Sequence, residues 1–217
     1  MMKKLMLIVI AISIVTLLNA QDTDKGDKKS NEILNRLTTK TEAYKTIKAE
    51  FSYVMKNAEA GIDEKTEGTL FVKGDKYRLL IAGQVVISDG ITSWTYIKDA
   101  DEVQINAVEN SEESITPNKL LTSYNKDYKS KFVKETFQYG TTVNIIDLTP
   151  IVGKSYSSVR VIIDKAKDQL LEITIFDKNG STYSYIINKF EPNVVVNDTQ
   201  FTFNKTEFPG ADIVDMR

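Results

Sequence analysis

The sequence predicts a mainly β fold with helices: a long antiparallel sheet that curls, its apolar concave face covered by helices. Three observations carry this expectation. After Lys48 the chain alternates apolar and polar residues with period two. The alternating runs are short, rich in Val, Ile, Tyr, Phe and Thr, and separated by turn residues. About eleven such runs are more than one flat open sheet holds, so the sheet should curl.

The elements follow in order. Met1-Met2-Lys3-Lys4 is a short basic start, followed by the apolar run Leu5 to Leu18 and then Asn19-Ala20-Gln21. That is a signal-peptide layout with a small residue before the cut, and cleavage is expected after Ala20. The apolar run is short for a helix crossing about 30 Å of hydrocarbon. An uncleaved anchor is the alternative; lipidation would need a Cys where Gln21 stands. Residues 21–30 are polar and aperiodic and read as a flexible leader. Residues 31–217 form one domain, with no internal repeat.

Ile33, Leu34, Leu37, Thr41, Tyr44 and Ile47 recur at three- and four-residue spacing, which predicts an amphipathic helix from about Asn31 to Thr46. Strands are expected at Ala49–Met55, Gly68–Lys73, Lys76–Ile81, Gln84–Ser88, Ser93–Ile97 and Glu102–Ala107. A second set is expected at Thr142–Leu148, Ser157–Asp164, Gln169–Phe176, Thr182–Phe190 and Gln200–Asn204. Asn179-Gly180 and Asp89-Gly90 are type I′ hairpin signals. Between the two sets, Glu109 to Glu113 reads as an acidic loop. Thr116-Pro117 then opens a short helix with Leu120, Leu121 and Tyr124 on its apolar side. No Gly-rich strand-to-helix turn appears, so a parallel nucleotide-binding sheet is not expected.

Counting faces, Tyr77/Leu79/Ile81, Trp94/Tyr96, Val159/Val161/Ile163, Leu171/Ile173/Ile175 and Tyr183/Tyr185/Ile187 put apolar groups on one side. Lys76/Arg78, Thr95, Arg160/Asp164, Glu172/Thr174 and Ser184/Asn188 lie opposite. Periodicity alone does not distinguish a filled core from a cavity.

Composition excludes much chemistry. The chain has 41% apolar residues, 27% charged, 10 Gly and 4 Pro, which excludes collagen-like and disordered classes. It contains no His and no Cys, so no Ser-His-Asp triad, thiol nucleophile, disulfide or His/Cys zinc site can form. Without Lys3 and Lys4 the balance is 26 basic against 30 acidic residues, a net charge of −4. No basic stripe suggests nucleic acid. Ser123-Tyr124-Asn125-Lys126 has the spacing of serine acylases but lacks their Ser-Asp-Asn and Lys-Thr-Gly partners. Glu112-Glu113 has no aromatic sugar platform nearby. No catalytic residue, metal or cofactor is expected.

Several motifs together carry a family resemblance. They are Gly68-Thr69-Leu70-Phe71-Val72-Lys73, then Ile87-Ser88-Asp89-Gly90 with Trp94-Thr95-Tyr96, the helix Pro117 to Leu121, and Phe201-Thr202-Phe203 with Phe208-Pro209-Gly210-Ala211-Asp212-Ile213-Val214-Asp215-Met216-Arg217. From Glu32 to Arg217 the chain resembles the LolA-like outer-membrane lipoprotein carriers. It is nearest their Bacteroidetes-type branch, which shares Val-Lys-Gly-Asp-Lys-Tyr-Arg. The resemblance implies an unclosed antiparallel β-barrel lidded by helices, whose apolar cavity holds lipoprotein acyl chains in the periplasm. On that basis the cavity wall is expected at Tyr77, Leu79, Trp94, Tyr96, Val161, Ile173, Ile175, Tyr185 and Ile187. Lid residues are expected at Leu34, Leu37, Leu120 and Leu121. Implied partners are lipoproteins, an inner-membrane lipoprotein-releasing transporter and an outer-membrane acceptor, with the carrier a monomer. A periplasmic lipid-binding sensor on the same fold is the alternative. One departure stands out. Better-known members carry Arg-Pro after the Val-Lys, and that arginine bonds to the lid helices. Here Gly74 follows Lys73, and Arg78 matches a different arginine of the pattern.

Overall fold

The computed structural model describes residues 27–108 and 127–217. The expected signal peptide, the acidic loop and the short helix with Leu120 and Leu121 lie outside the described residues.

Helix α1 spans Lys28–Glu42. Asp27 caps it from an extended conformation, its side chain accepting from the Ser30 N–H at 2.7 Å. The same carboxylate accepts from the Phe132 N–H, and the Asp27 N–H donates to the Ser130 carbonyl. Burial pushes the Asp27 carboxyl up, yet the N–H groups of Ser30 and Phe132 outweigh it and hold it below the usual range. The helix therefore opens within the expected leader and ends before Thr46. Tyr44 and Ile47 fit the helical spacing, but their segment finds other partners. The Lys45 N–H donates to the Asn193 side chain, the Asn193 N–H to the Thr46 carbonyl and the Thr46 hydroxyl to the Val194 carbonyl. Those bonds favour an extended link over another helical turn.

Among the described residues, twelve strands form one sheet. They are β1 (Ile47–Asn57), β2 (Ile62–Lys73), β3 (Lys76–Ile81), β4 (Gln84–Ser88), β5 (Thr92–Ile97), β6 (Glu102–Ala107), β7 (Tyr128–Gln138), β8 (Thr141–Pro150), β9 (Tyr156–Asp164), β10 (Gln169–Asp177), β11 (Thr182–Pro192) and β12 (Asp212–Asp215). Their order is β12-β6-β5-β4-β3-β2-β1-β11-β10-β9-β8-β7, so among the described residues β12 and β7 are the two edge strands and the barrel is unclosed. All pairs are antiparallel except β12 with β6, which is parallel.

Three expectations need correction. Strands β7 and β12 are additional to the expected set. The expected strand Gln200–Asn204 is instead a 3-10 turn at Asp198–Phe201 followed by chain that joins no ladder. Asn197 caps that turn, which directs Phe201 into a fully buried position. The turn types also differ. Type I′ geometry needs positive φ at both central residues, and this occurs at Ala82-Gly83 and Tyr139-Gly140. At Asn179-Gly180 and Asp89-Gly90 only the glycine has positive φ, and these loops are longer.

The main core lies on the concave side. It joins Ile33, Leu34 and Leu37 of α1 to Ile47, Phe51, Leu70, Val72, Ile146, Val161, Ile163 and Ile173 of the sheet. Fully burying one such aliphatic side chain contributes about 1.5–3 kcal/mol. Gly68 is required inside this core. It pairs with Phe51, and a Cβ at that position would lie 2.4 Å from the Phe51 ring. A smaller cluster on the convex side joins Ile87 and Val103 to Phe208 and Ala211. No helix among the described residues is long and apolar enough to cross a membrane.

Candidate functional site

Strand register fixes which side chains share the concave face. Ile47, Ala49 and Phe51 of β1 stand opposite Val72, Leu70 and Gly68 of β2. These in turn face Tyr77, Leu79 and Ile81 of β3. On the other flank, Phe51, Tyr53 and Met55 pair with Ile187, Tyr185 and Tyr183 of β11. Directly paired residues project to one side of a sheet, so these strands build one continuous apolar surface.

Helix α1 leaves part of that surface open. Val161, Ile173 and Ile175 are buried in the main core with Leu34 and Leu37, which are 0% and 1% exposed. Tyr53, Tyr77, Leu79, Ile81, Tyr183, Tyr185 and Ile187 pack on the same core yet keep part of their surface accessible. The Tyr53 and Tyr185 rings lie 5.2 Å apart, and Phe51 lies 5.9 Å from Tyr185. Burial pushes the Tyr185 phenol up to about 12, with Tyr53 and Tyr183 adding to the shift. Burial raises Tyr53 and Tyr77 as well. The phenols are therefore neutral throughout the physiological range, and the patch presents aromatic and aliphatic surface, bordered by the Glu64 carboxylate opposite Met55.

The expected wall residues thus divide into three groups. Tyr77, Leu79, Tyr185 and Ile187 are on the open apolar patch, whereas Val161, Ile173 and Ile175 are buried beneath α1. Trp94 and Tyr96 are on the opposite face, which corrects their expected side. Trp94 pairs with Ile87, and Ile87 with Arg78, which is turned away from Tyr77 and Leu79. There Trp94 stacks on Phe203 at 6.2 Å and Tyr96 meets Phe208 at 4.6 Å. Leu171 also changes sides, because a bulge between Leu170 and Glu172 turns Leu170 inward and leaves Leu171 with Val143, Ile145 and Ile162. Tyr53 was legible in the alternation Ala49-Phe51-Tyr53 but was not singled out.

The docking of α1 does not use an arginine after Lys73. Its N-terminus is bonded to β7 through Asp27, and the Ser30 and Ser130 hydroxyls bond at 2.7 Å. Nearer its C-terminus Arg36 pairs with Asp168 at 3.1 Å, and the Lys40 ammonium donates to the Lys167 carbonyl. Lys73 and Arg78 face the C-terminal segment instead, pairing with Asp198 and Glu207.

Two open grooves lie elsewhere. One of about 600 Å³, at the Ala82-Gly83 turn, includes Glu50, Glu67 and Lys98 in its lining. Another of about 530 Å³ runs between β2, β3 and the C-terminal segment, past Arg78 and Glu207. Their charged linings are poorly suited to hydrocarbon. Among the described residues, no group of three or more acidic side chains is placed to hold a metal ion.

Residues 42–204 match the family described as outer membrane lipoprotein carrier protein LolA. The chain has no match among curated protein sequences. An uncharacterized conserved protein from Thermus thermophilus is similar in structure, with 11% identity, a TM-score of 0.58 and coverage of 87% of this chain and 99% of that one. A LolA superfamily protein from Nitrosomonas europaea aligns at 11% identity and a TM-score of 0.43, covering 80% and 97% of the two chains. LprF from Mycobacterium bovis aligns over the same shares at 11% identity and a TM-score of 0.45. At such identity the likeness to the Thermus protein shows the fold alone.

Proposed function

This chain belongs to the LolA family of outer membrane lipoprotein carrier proteins, and from that membership we propose that it is a non-enzymatic periplasmic carrier of lipoproteins. The observation that carries the reading is the uncharged, partly accessible patch of Tyr53, Tyr77, Leu79, Ile81, Tyr185 and Ile187 beside α1. An acyl chain leaves a bilayer only if another apolar environment receives it. Each buried CH₂ is worth about 0.8 kcal/mol, so a surface covering a few dozen methylenes competes with the membrane. The protein takes the acylated client from an inner-membrane lipoprotein-releasing transporter and delivers it to an outer-membrane acceptor. It works as a monomer, because one concave face suffices for one client.

The test is a titration of the secreted, full-length mature protein with a synthetic triacylated peptide, read by displacement of the apolar dye diphenylhexatriene. Displacement saturating at one peptide per protein is the expected result. Failure of both dye and peptide to bind the native monomer would overturn the reading. Binding without subsequent transfer to outer-membrane vesicles would support a lipid sensor instead of a carrier.

A further inference from the structure

The concave face does not stay apolar across its width. Three rows of register partners cross it from β1 to β6. One runs Ile47, Val72, Tyr77, Ser88, Ser93, Asn106. The next runs Ala49, Leu70, Leu79, Val86, Thr95, Gln104, and the third Phe51, Gly68, Ile81, Gln84, Ile97, Glu102. Each begins apolar and ends polar. From β3 to β6 is three strand spacings, about 14 Å. Within that width the surface changes from hydrocarbon to hydroxyl, amide and carboxylate groups, with Val86 and Ile97 as the last apolar residues of the second and third rows.

The strands on the polar side have not lost their apolar residues. They keep period two but turn the apolar set outward, where Ile87, Trp94 and Val103 are packed with Phe203, Phe208 and Ala211. The inward residues Ser93, Thr95, Gln104 and Asn106 are half-buried. Gln104 is held in place by a 2.9 Å bond from its amide nitrogen to Glu102. A primary amide has a second N–H, which remains for another acceptor.

We infer that the concave face binds an acylated peptide in one direction, with acyl chains over β1–β3 and β11 and the polar head over β4–β6. The inference rests on the acyl-binding reading above and assigns the orientation of the same site. The ligand class is a lipid whose head carries ester and amide carbonyls followed by peptide. Thr95 and Gln104 supply hydroxyl and amide donors to those carbonyls, and continuity of the three rows places the head beside the chains.

The full-length Thr95→Val/Gln104→Met variant tests this against two ligands, a synthetic triacylated peptide and diphenylhexatriene, which has no polar head. Two lost hydrogen bonds should weaken the peptide about tenfold. Dye affinity should change less than about twofold. Thr95→Ser, which keeps the hydroxyl, should behave as wild type. Equal weakening of both ligands, or no change in either, would overturn the orientation while leaving acyl binding intact. Failure of the wild type to bind either ligand would instead contradict the acyl-binding reading itself.

Discussion

Replacing Leu34 by alanine should lower the unfolding free energy by about 2–5 kcal/mol. Leu34 is fully buried between Ile33 and Leu37 of α1 and the concave core. Truncation removes transfer free energy and leaves a cavity that the twelve-stranded sheet, held by its own ladders, fills only in part. In a chain of this size each kcal/mol shifts the melting temperature by roughly 2–4 °C. Thermal unfolding followed by circular dichroism measures the effect. A loose lid leucine would leave the melting temperature nearly unchanged, so a negligible shift would mean that α1 is a mobile cover. A large shift makes α1 a structural part of the barrel, as its bonds to β7 and to the turn at Lys167 and Asp168 require.

Leu79→Glu is expected to weaken binding of a triacylated peptide by at least about a hundredfold. Contact with one Leu contributes about 1.5–3 kcal/mol, and a carboxylate in the path of an acyl chain adds its own desolvation cost. The fold should tolerate the change, because Leu79 is only half-buried and its backbone stays in the β3 ladder. Leu80→Glu is the internal control. One residue on, it points to the other side of the sheet, is 37% exposed and borders both charged grooves. It should leave peptide binding within about twofold. Equal losses in the two variants would mean that the acyl chains do not use the concave side.

Legibility in the sequence followed residue type. Strands Lys76–Ile81, Gln84–Ser88 and Glu102–Ala107 are readable to the residue because turn residues bracket them: Asp75 before β3, Ala82-Gly83 between β3 and β4, Asp89-Gly90 after β4 and Asp99 to Asp101 before β6. Strand β7 was not, because Lys129, Lys131 and Lys134 on an edge strand erase the pattern. The charged start of β2, Ile62 to Glu67, was hidden for the same reason. Alternation gives two faces but not which one looks inward. Trp94 and Tyr96 therefore lie on the side opposite the expected one, which only register and the C-terminal segment covering them settle. Leu171 needed a bulge that composition does not announce. Tyr77, Leu79, Tyr185 and Ile187 are legible because nothing interrupts the count along β3 or from Tyr183 to Ile187 of β11, whose irregularity against β1 lies just beyond, at Asn188.

The claim that acyl chains lie on the open concave patch is tested most directly by photo-crosslinking. A triacylated peptide with a diazirine at the end of one acyl chain is irradiated with the full-length protein, and the labelled residues are identified by mass spectrometry. Label is expected on Phe51 to Met55, Tyr77 to Ile81 and Tyr183 to Ile187, and should be competed away by unmodified peptide. Label concentrated on Trp94, Tyr96, Phe203 and Phe208, or along the groove at Ala82-Gly83, would contradict it.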